Sequence, residues 1–399
     1  MKKTVESKPN IEIRHIALKV RLYPNKEQRI FINNTIGCTR KIYNLMLDER
    51  KEVYDKLKDN KKALHAYKYK TEKQYKEEFP FLKDVDSKAL IGANADLQTA
   101  YKNFFSSQSG KRKGKKVGYP KYRSLKKGDN SYRTYEPVVT RIDYDKHKLH
   151  LLKLGWVKYR NPRRIEGTLK SVTIRRSNTG KYFASILFEQ EILLREEKKK
   201  TPINDNQVIG LDMDFLKFFV DNKGNSPDYK RLYRISEKRL KFLQKNMSRK
   251  KKDSKNWEKA KRRVAVLSEK TANSRKDFIN KTSTQLVKKY EVIVVEGINY
   301  QGMAQCRKNG KSVHDLAWGM FRSQLEYKTK WNNKILIEAD KFFPSSKTCS
   351  ECGFVHKGLQ SDDIVYICPN CKLKIDRDKN AAINLKNYGL KELGLGRPI

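Results

Sequence analysis

Residues 348–385 read TCSECGFVHKGLQSDDIVYICPNCKLKIDRDKNAAINL. Within them Cys349, Cys352, Cys368 and Cys371 form two Cys-x-x-Cys pairs separated by fifteen residues, 353 to 367. Each pair can grip one ion from a tight turn. A loop of that length lets the two turns meet around a tetrahedral ion, which is zinc-ribbon spacing. Two disulfides or buried thiols are the competing reading, and neighbouring pairs rarely arise by chance in a chain of six cysteines. A single Zn²⁺ held by four thiolates would be structural, with no open position for water. The ribbon runs straight into Asp376-Arg377-Asp378-Lys379-Asn380-Ala381-Ala382, where two carboxylates sit at a helix start. A metal clip abutting acids suggests a nucleic-acid enzyme whose last catalytic acid follows the clip.

Working outward, the 399 residues are enough for two or three domains. Lys and Arg number 90 against 45 Asp and Glu, a formal charge of +45. With 37% hydrophobic and 10% aromatic residues this is a folded chain rather than a basic tail. Such a charge calls for a polyanion, with nucleic acid favoured over a membrane surface. No stretch approaches eighteen apolar residues and no signal-peptide core follows Met1, so a cytoplasmic, nucleoid-associated protein with reduced thiols is expected, with no membrane partner. Cys38 and Cys306 stand alone and read as packing residues.

Residues 1–10 read as loose. Residues 15–24 alternate and meet Pro24, a strand ending in a turn. Asn25 can cap a helix from Lys26 to about Lys62, and Asp86 or Ser87 another with Leu90, Ala93, Leu97, Ala100 and Phe104 on one face. The segment from Tyr101 to Tyr135 carries eleven Lys or Arg and one acid, Asp129, interleaved with Tyr119, Tyr122, Tyr132 and Tyr135. Cations for phosphates and rings for bases are the ingredients of a nucleic-acid groove; a solvated loop is the bland alternative. Lys111, Arg112, Lys113, Lys115, Lys116, Lys121, Arg123, Lys126 and Lys127 are the candidate contacts. Residues 148–159 alternate, and 169–189 read as a hairpin turning at Asn178-Thr179-Gly180. Strand, helices, strands therefore suggest one β-rich domain with a helical bundle inserted, closed by a polar linker, 196–206, carrying Pro202.

From Val208 the pattern becomes α/β. Val208–Asp212 is a buried strand delivering an acid, 218–224 a second strand and turn, 229–247 and 256–290 two long basic helices. Leu232, Ile235, Leu240, Leu243 and Met247 stripe the first helix and read as core. An apolar run, 291–296, ends in Glu296, and 334–337 reads as a short strand. Asp212, Glu296 and Asp378 are the notable acids. A carboxylate at the end of a buried strand needs a divalent ion or it is costly, although strand-end acids are often solvent-exposed. Asp376 reads equally well as the N-cap of the last helix.

Residues 208–385 resemble the transposon-encoded TnpB proteins, relatives of the type V CRISPR effectors. The resemblance rests on Gly210-Leu-Asp212-Met, Phe219-Val-Asp-Asn-Lys-Gly224, Asn273-Ser-Arg275-Lys-Asp277-Phe and Val294-Val-Glu296-Gly-Ile-Asn299. It continues through Trp318-Gly-Met-Phe321, Phe343-Pro-Ser-Ser-Lys-Thr-Cys349, both cysteine pairs and the Asp376–Ala382 run. Leu22-Tyr-Pro24, Gly37-Cys-Thr-Arg40 and Tyr119-Pro-Lys-Tyr-Arg123 match more loosely. Asp214 stands where the family usually has a small or polar residue, and Asn280 where many relatives carry histidine.

The resemblance implies a multidomain α+β chain. It divides as 1–28 and 111–195, a β-barrel wedge domain; 29–110, an inserted helical recognition domain; and 196–206, the linker. Then come 207–343, an RNase H-like (RuvC) nuclease domain; 344–375, an inserted zinc ribbon that binds target nucleic acid; and 376–399, the final RuvC motif and tail. It implies RNA-guided DNA cleavage beside a short flanking motif, with a guide RNA from the transposon end, a double-stranded DNA target, and one protein per RNA. Asp212, Glu296 and Asp378 fall on the family's catalytic positions. Two Mg²⁺ ions would suit phosphodiester hydrolysis, Asp212 bridging both and Glu296 and Asp378 each holding one. Asp376 and Asp214 would support them from behind. A nuclease-dead RNA-guided regulator, a protein-only transposase and a ribosome-associated basic protein are the competing readings.

Overall fold

The structure is a computed structural model that describes residues 11–112, 114–125, 128, 130–135, 140–160, 163–193, 203–305, 310–360 and 363–395. Residues 1–10, Lys113, Lys126, Lys127, Asp129, the linker up to Pro202, and Cys306 lie outside the described residues. The chain divides into two compact units between residues 197 and 198.

The first unit opens with β1 (Ile11–Tyr23), in which Leu18, Val20 and Leu22 face inward. Proline has no N–H for the ladder, and the strand ends before Pro24. Asn25 then caps α1 (Lys26–Leu57): its side chain accepts from Gln28 N–H at 2.8 Å, and its own N–H donates to Gln28 at 3.1 Å. The helix stops short of the expected Lys62 because Asn60 caps a new helix, α2 (Lys61–Ala66), accepting from Ala63 N–H. α3 (Glu72–Glu78) and α4 (Ser87–Gln108) follow, α4 capped by Asp86. Ile42, Met46 and Leu47 of α1 pack with Leu90, Ala93 and Leu97 of α4, while Ile32 and Ile36 lie in a separate core against the strands.

Those strands are β2 (Ser131–Thr134), β3 (Arg141–Asp143), β4 (Lys148–Leu151), β5 (Gly155–Arg160), β6 (Thr168–Arg176) and β7 (Tyr182–Leu193). Residues 148–159 are thus two strands, broken where Lys153 and Gly155 take φ of 59° and 69°. The sheet order is β2-β6-β7-β1-β5-β4-β3, antiparallel throughout. β1 lies inside a sheet whose other strands all follow the helices, so the helices are an insertion in the sheet's connectivity. β2 and β3, the outer strands of that order, share no ladder among the described residues. Tyr132 is a correction: the two-residue period of β2 turns it into the core, 5% exposed, and away from any groove.

The second unit is built on β8 (Val208–Asp212), β9 (Val220–Asp221), β10 (Val292–Val295) and β11 (Ile335–Glu338), in the order β11-β10-β8-β9. β11, β10 and β8 are parallel and β9 antiparallel. Of the strand and turn expected over 218–224, the strand is the two residues of β9, following Phe218 with its left-handed backbone, φ 77°, and the turn closes from Gly224 N–H to the Asp221 carbonyl. α5 (Leu232–Ser248), α6 (Lys255–Lys289), α7 (Tyr300–Gln305), α8 (Gly310–Leu316) and α9 (Trp318–Trp331) cover one face. Ile209, Leu211, Ile293 and Val295 meet Ile279 and Leu286 of α6 and Phe321 and Leu325 of α9 there. Val208, Val292 and Val294 face the other way, onto Leu385 and Leu390 of α10 (Arg377–Glu392). Both strand faces are covered, so the strands read as continuous apolar runs. β12 (Val365–Ile367) and β13 (Lys374–Asp376) form a separate antiparallel pair before α10.

The apolar stripe on α5 is a second correction. No α5 residue is buried, and Ile235 is 68% exposed. α5 pairs mainly with α6, whose own first half is largely exposed, so of the stripe only Leu232 packs against the core and the rest stays partly or fully exposed.

Gly210 sets how closely α10 approaches the sheet. A Cβ there would run into the Ala382 carbonyl and sit 2.5 Å from the Lys386 amide nitrogen. Gly210→Ala is expected to destabilise the second unit by about 1–3 kcal/mol through overpacking, measured by urea unfolding. Unchanged stability would mean α10 is not held against β8.

Candidate functional site

β8 and β10 are paired in register from Val208↔Val292 to Leu211↔Val295. One step on, the same register sets Asp212 beside Glu296 at the carboxyl ends of adjacent strands. Register partners share a face, here the face covered by α10. Asp212 is 9% exposed, and its carboxyl shares a hydrogen bond with Glu296. Burial first, then the negative charge of Glu296, push Asp212 well above the usual carboxylate range. Burial also raises Glu296, partly offset by hydrogen bonds from Asp212 and from Ser345 Oγ at 3.1 Å. Without a cation the pair shares a proton; a divalent ion is the natural replacement.

α10 brings the third acid. Asp376 caps it, accepting from Lys379 N–H at 3.0 Å, which puts Asp378 in its first turn. Asp378 is close enough to raise both other acids. Its own oxygens are turned elsewhere: Oδ1 lies 3.2 Å from Arg377 Nη2 and Oδ2 3.4 Å from Lys217 Nζ. Among the described residues the three acids do not offer one oxygen each within 4.8 Å of one another, as the four cysteines do. The donor set is all hard oxygen and fits magnesium.

Asp214 is not directed at the acids. Its Oδ1 accepts from the backbone N–H groups of Leu216 and Lys217, closing a tight turn. Asn280 is also used elsewhere, its carbonyl and Oδ1 each accepting from Lys328 Nζ at 2.9 Å.

The four cysteines come from two matching turns. In each, a backbone N–H four residues on returns to the cysteine carbonyl (Gly353 to Cys349 at 3.0 Å, Lys372 to Cys368 at 3.1 Å), with φ of 74° and 62° at those positions. The sulfurs stand 3.6 Å apart in the pairs Cys349–Cys371 and Cys352–Cys368, and all lie within 4.8 Å. A tetrahedral ion at a Zn–S distance of about 2.3 Å needs sulfurs about 3.8 Å apart, so the cluster could hold zinc. The Phe354 N–H and the Asn370 amide hold the Cys352 thiol down to about 6. The ribbon is tied to α10 by two buried amides: Asn380 and Asn384 both donate to the Thr348 carbonyl, at 2.7 and 2.6 Å, and Asn384 to that of Ser345.

Among the candidate nucleic-acid contacts, Lys111, Arg112, Lys115, Lys116 and Lys121 are exposed. Arg123 is spent inside the fold. It pairs with Asp96 at 2.9 Å and lies over the Tyr43 ring at 4.1 Å, and its backbone is clamped at both N–H and C=O by Asn44. Tyr119 bonds Tyr101, and Tyr122 bonds Asp48. The expected free loop is therefore pinned to α1 and α4, and its rings pack against the helices, while its lysines face solvent.

Three family models match parts of the chain. "Cas12f1-like, TNB domain" covers 318–385, with the four cysteines and Asp378. "Probable transposase" covers 191–307, with Asp212 and Glu296. "Helix-turn-helix domain" covers 14–59, which here is β1 and the single long helix α1. A Streptomyces pristinaespiralis protein named "Putative RNA-guided DNA endonuclease" is 31% identical over 384 residues, covering 95% of this chain and 90% of that protein. The chain belongs to the TnpB family. Its Escherichia coli K12 relative InsQ, named likewise, is 29% identical over 405 residues, covering 96% and 94%. The fold resembles the protein in a cryo-EM structure of a Cas12f1–sgRNA–target DNA complex: TM-score 0.53, 13% identity, covering 94% of this chain and 99% of that one.

Lys217, Arg377 and Ser345 were not singled out from sequence. Arg377 and Ser345 sit inside quoted motifs, so position within a motif was the available signal; Lys217 is one lysine among many.

Two outcomes follow. Purified protein should carry one zinc per chain by atomic emission, and Cys352→Ser should lose it together with several degrees of melting temperature; a zinc-free wild type would refute the ribbon assignment. A carboxyl raised in the fold stabilises it fully below its unfolded value and loses that contribution as pH rises through the folded value. Magnesium-free wild type should therefore lose stability as pH rises from about 4 toward neutrality. Asp212→Asn should weaken that pH dependence and melt higher than wild type at pH 7.

Proposed function

We propose that this chain is an RNA-guided DNA endonuclease of a transposable element, cutting DNA beside a short flanking motif. The observation that carries the reading is the registered pair Asp212 and Glu296, with Asp378 on α10 near enough for its charge to raise both. Chains across this family matched over nine-tenths of their length carry the corresponding name. In this reading the second unit is an RNase H-like (RuvC) nuclease domain, 207–343 and 376–399, with the ribbon, 344–375, inserted before its last acid. The central β8 with parallel β10 and β11 and antiparallel β9 supports that assignment. In the first unit, 1–28 with 111–195 would be the wedge and 29–110 the recognition domain.

Asp212, Glu296 and Asp378 would hold two Mg²⁺ ions. Such a pair supplies Lewis-acid charge at the scissile phosphate and lowers the pKa of the attacking water. Ser345 Oγ orients Glu296, and the Asp376 cap fixes the helix turn that presents Asp378. The exposed lysines of 111–121 would take phosphates of a guide RNA from the transposon end and of its target duplex, leaving sequence to base pairing. No helix among the described residues is long and apolar enough to cross a membrane.

A nuclease-dead regulator is not favoured, because all three acids are present. A protein-only transposase is separated by experiment. The protein is expressed with the non-coding RNA encoded beside its gene and given plasmids with a randomised flank and Mg²⁺. Expected are co-purified RNA and cleavage beside one enriched motif. Asp212→Ala should retain RNA and lose at least about a thousandfold in cleavage rate. Cleavage by RNA-free protein, or by the variant, would overturn the reading.

A further inference from the structure

Both oxygens of Asp378 are covered by cations, but the two cations differ in origin. Arg377 is its neighbour on the same helix, 3.2 Å from Oδ1. Lys217 reaches in from the loop after β8, 3.4 Å from Oδ2 and 3.8 Å from Asp376 Oδ2. That loop is fastened on either side of Lys217. Before it, Asp214 Oδ1 takes the N–H groups of Leu216 and Lys217, and Arg231 donates to the Phe215 carbonyl at 3.2 Å. After it, Phe218 is held in left-handed backbone with its side chain fully buried, and its carbonyl accepts from Trp318 Nε1 at 3.0 Å. A bulky residue keeps such a conformation only where the surroundings over-determine it. The rings of Tyr229, Phe278 and Phe321 around Phe218 do so. The backbone of Lys217 is thus fixed, while its side chain remains 42% exposed and free to leave.

We infer that Lys217 is a positioning residue: a resident cation that holds the Asp378 carboxylate until a divalent ion arrives, competes with that ion for the same oxygen, and swings out when the ion binds. This explains two facts at once. The extra carboxylate Asp214 is the clasp that presents Lys217. Asp378 stands apart from Asp212 and Glu296 because its oxygens are already taken. The inference rests on the metal-centre reading given above.

The test is Mn²⁺ binding to the RNA-loaded protein, followed by electron paramagnetic resonance, counting only the binding that Asp212→Ala abolishes. Lys217→Met should bind Mn²⁺ about fivefold more tightly than wild type, about 1 kcal/mol. The Mn²⁺ concentration for half-maximal cleavage should fall by the same factor. Lys217→Arg, which keeps the cation, should stay within about twofold of wild type. Lys255→Met, which removes a charge at the exposed start of α6, should do the same and so separates contact from net charge. Unchanged or weaker Mn²⁺ binding in Lys217→Met, with wild-type binding intact, overturns the inference alone. If wild type shows no binding that Asp212→Ala abolishes, the metal centre itself fails and the inference falls with it.

Discussion

The second unit depends on the in-register pairing of two parallel strands. β8 and β10 are offset by a constant 84 residues, so the residues that end them, Asp212 and Glu296, meet side by side on one face. Every earlier position on that face is apolar or glycine: Val208 and Gly210 on one strand, Val292 and Val294 on the other. The carboxylates are therefore the last step of an otherwise dry ladder, which is why burial dominates their protonation. A slip of one residue in either strand would turn that strand's acid to the opposite face, toward α6 and α9.

The third acid arrives by a different route. α10 can lie close over the strands because Gly210 has no side chain, and Gly389 meets Val294 in the same way. The start of that helix is held by the ribbon through Asn380 and Asn384, both buried and both bonded to the Thr348 carbonyl. The four-cysteine clip is thus connected, through two amides and one helix turn, to the position of Asp378. Asp378 meanwhile sits between cations from its own helix and from the β8–β9 loop, so its carboxylate is neutralised locally while the other two share a proton.

In the first unit the positive charge is divided between two uses. Arg123 and Arg133 share Asp96, and several cations lie over rings, Lys51 on Tyr122 and Arg50 on Tyr69 and Tyr101. The Asp96 pairs and the Lys51–Tyr122 contact pin the segment after α4 to the helices. What remains exposed, the lysines from 111 to 121, is the part available to a polyanion.

Much of this was readable in the chain. Local chemistry sets the Asn25 and Asp86 caps, the β6–β7 hairpin and the two cysteine turns, because each depends on residues within a few positions of one another. The three acids were also singled out as candidates from their motifs. Only the tertiary structure decided the rest. Tyr132 and Arg123 looked like groove residues and became core and ion pair, since a strand's facing and a partner 27 residues away are not written locally. The α5 stripe looked like core and stayed half-exposed, since amphipathic period says which face is apolar but not what covers it. Lys217 became notable only when a loop fixed at both ends carried it to Asp378, 161 residues on, because charge acts through space and sequence distance does not measure it.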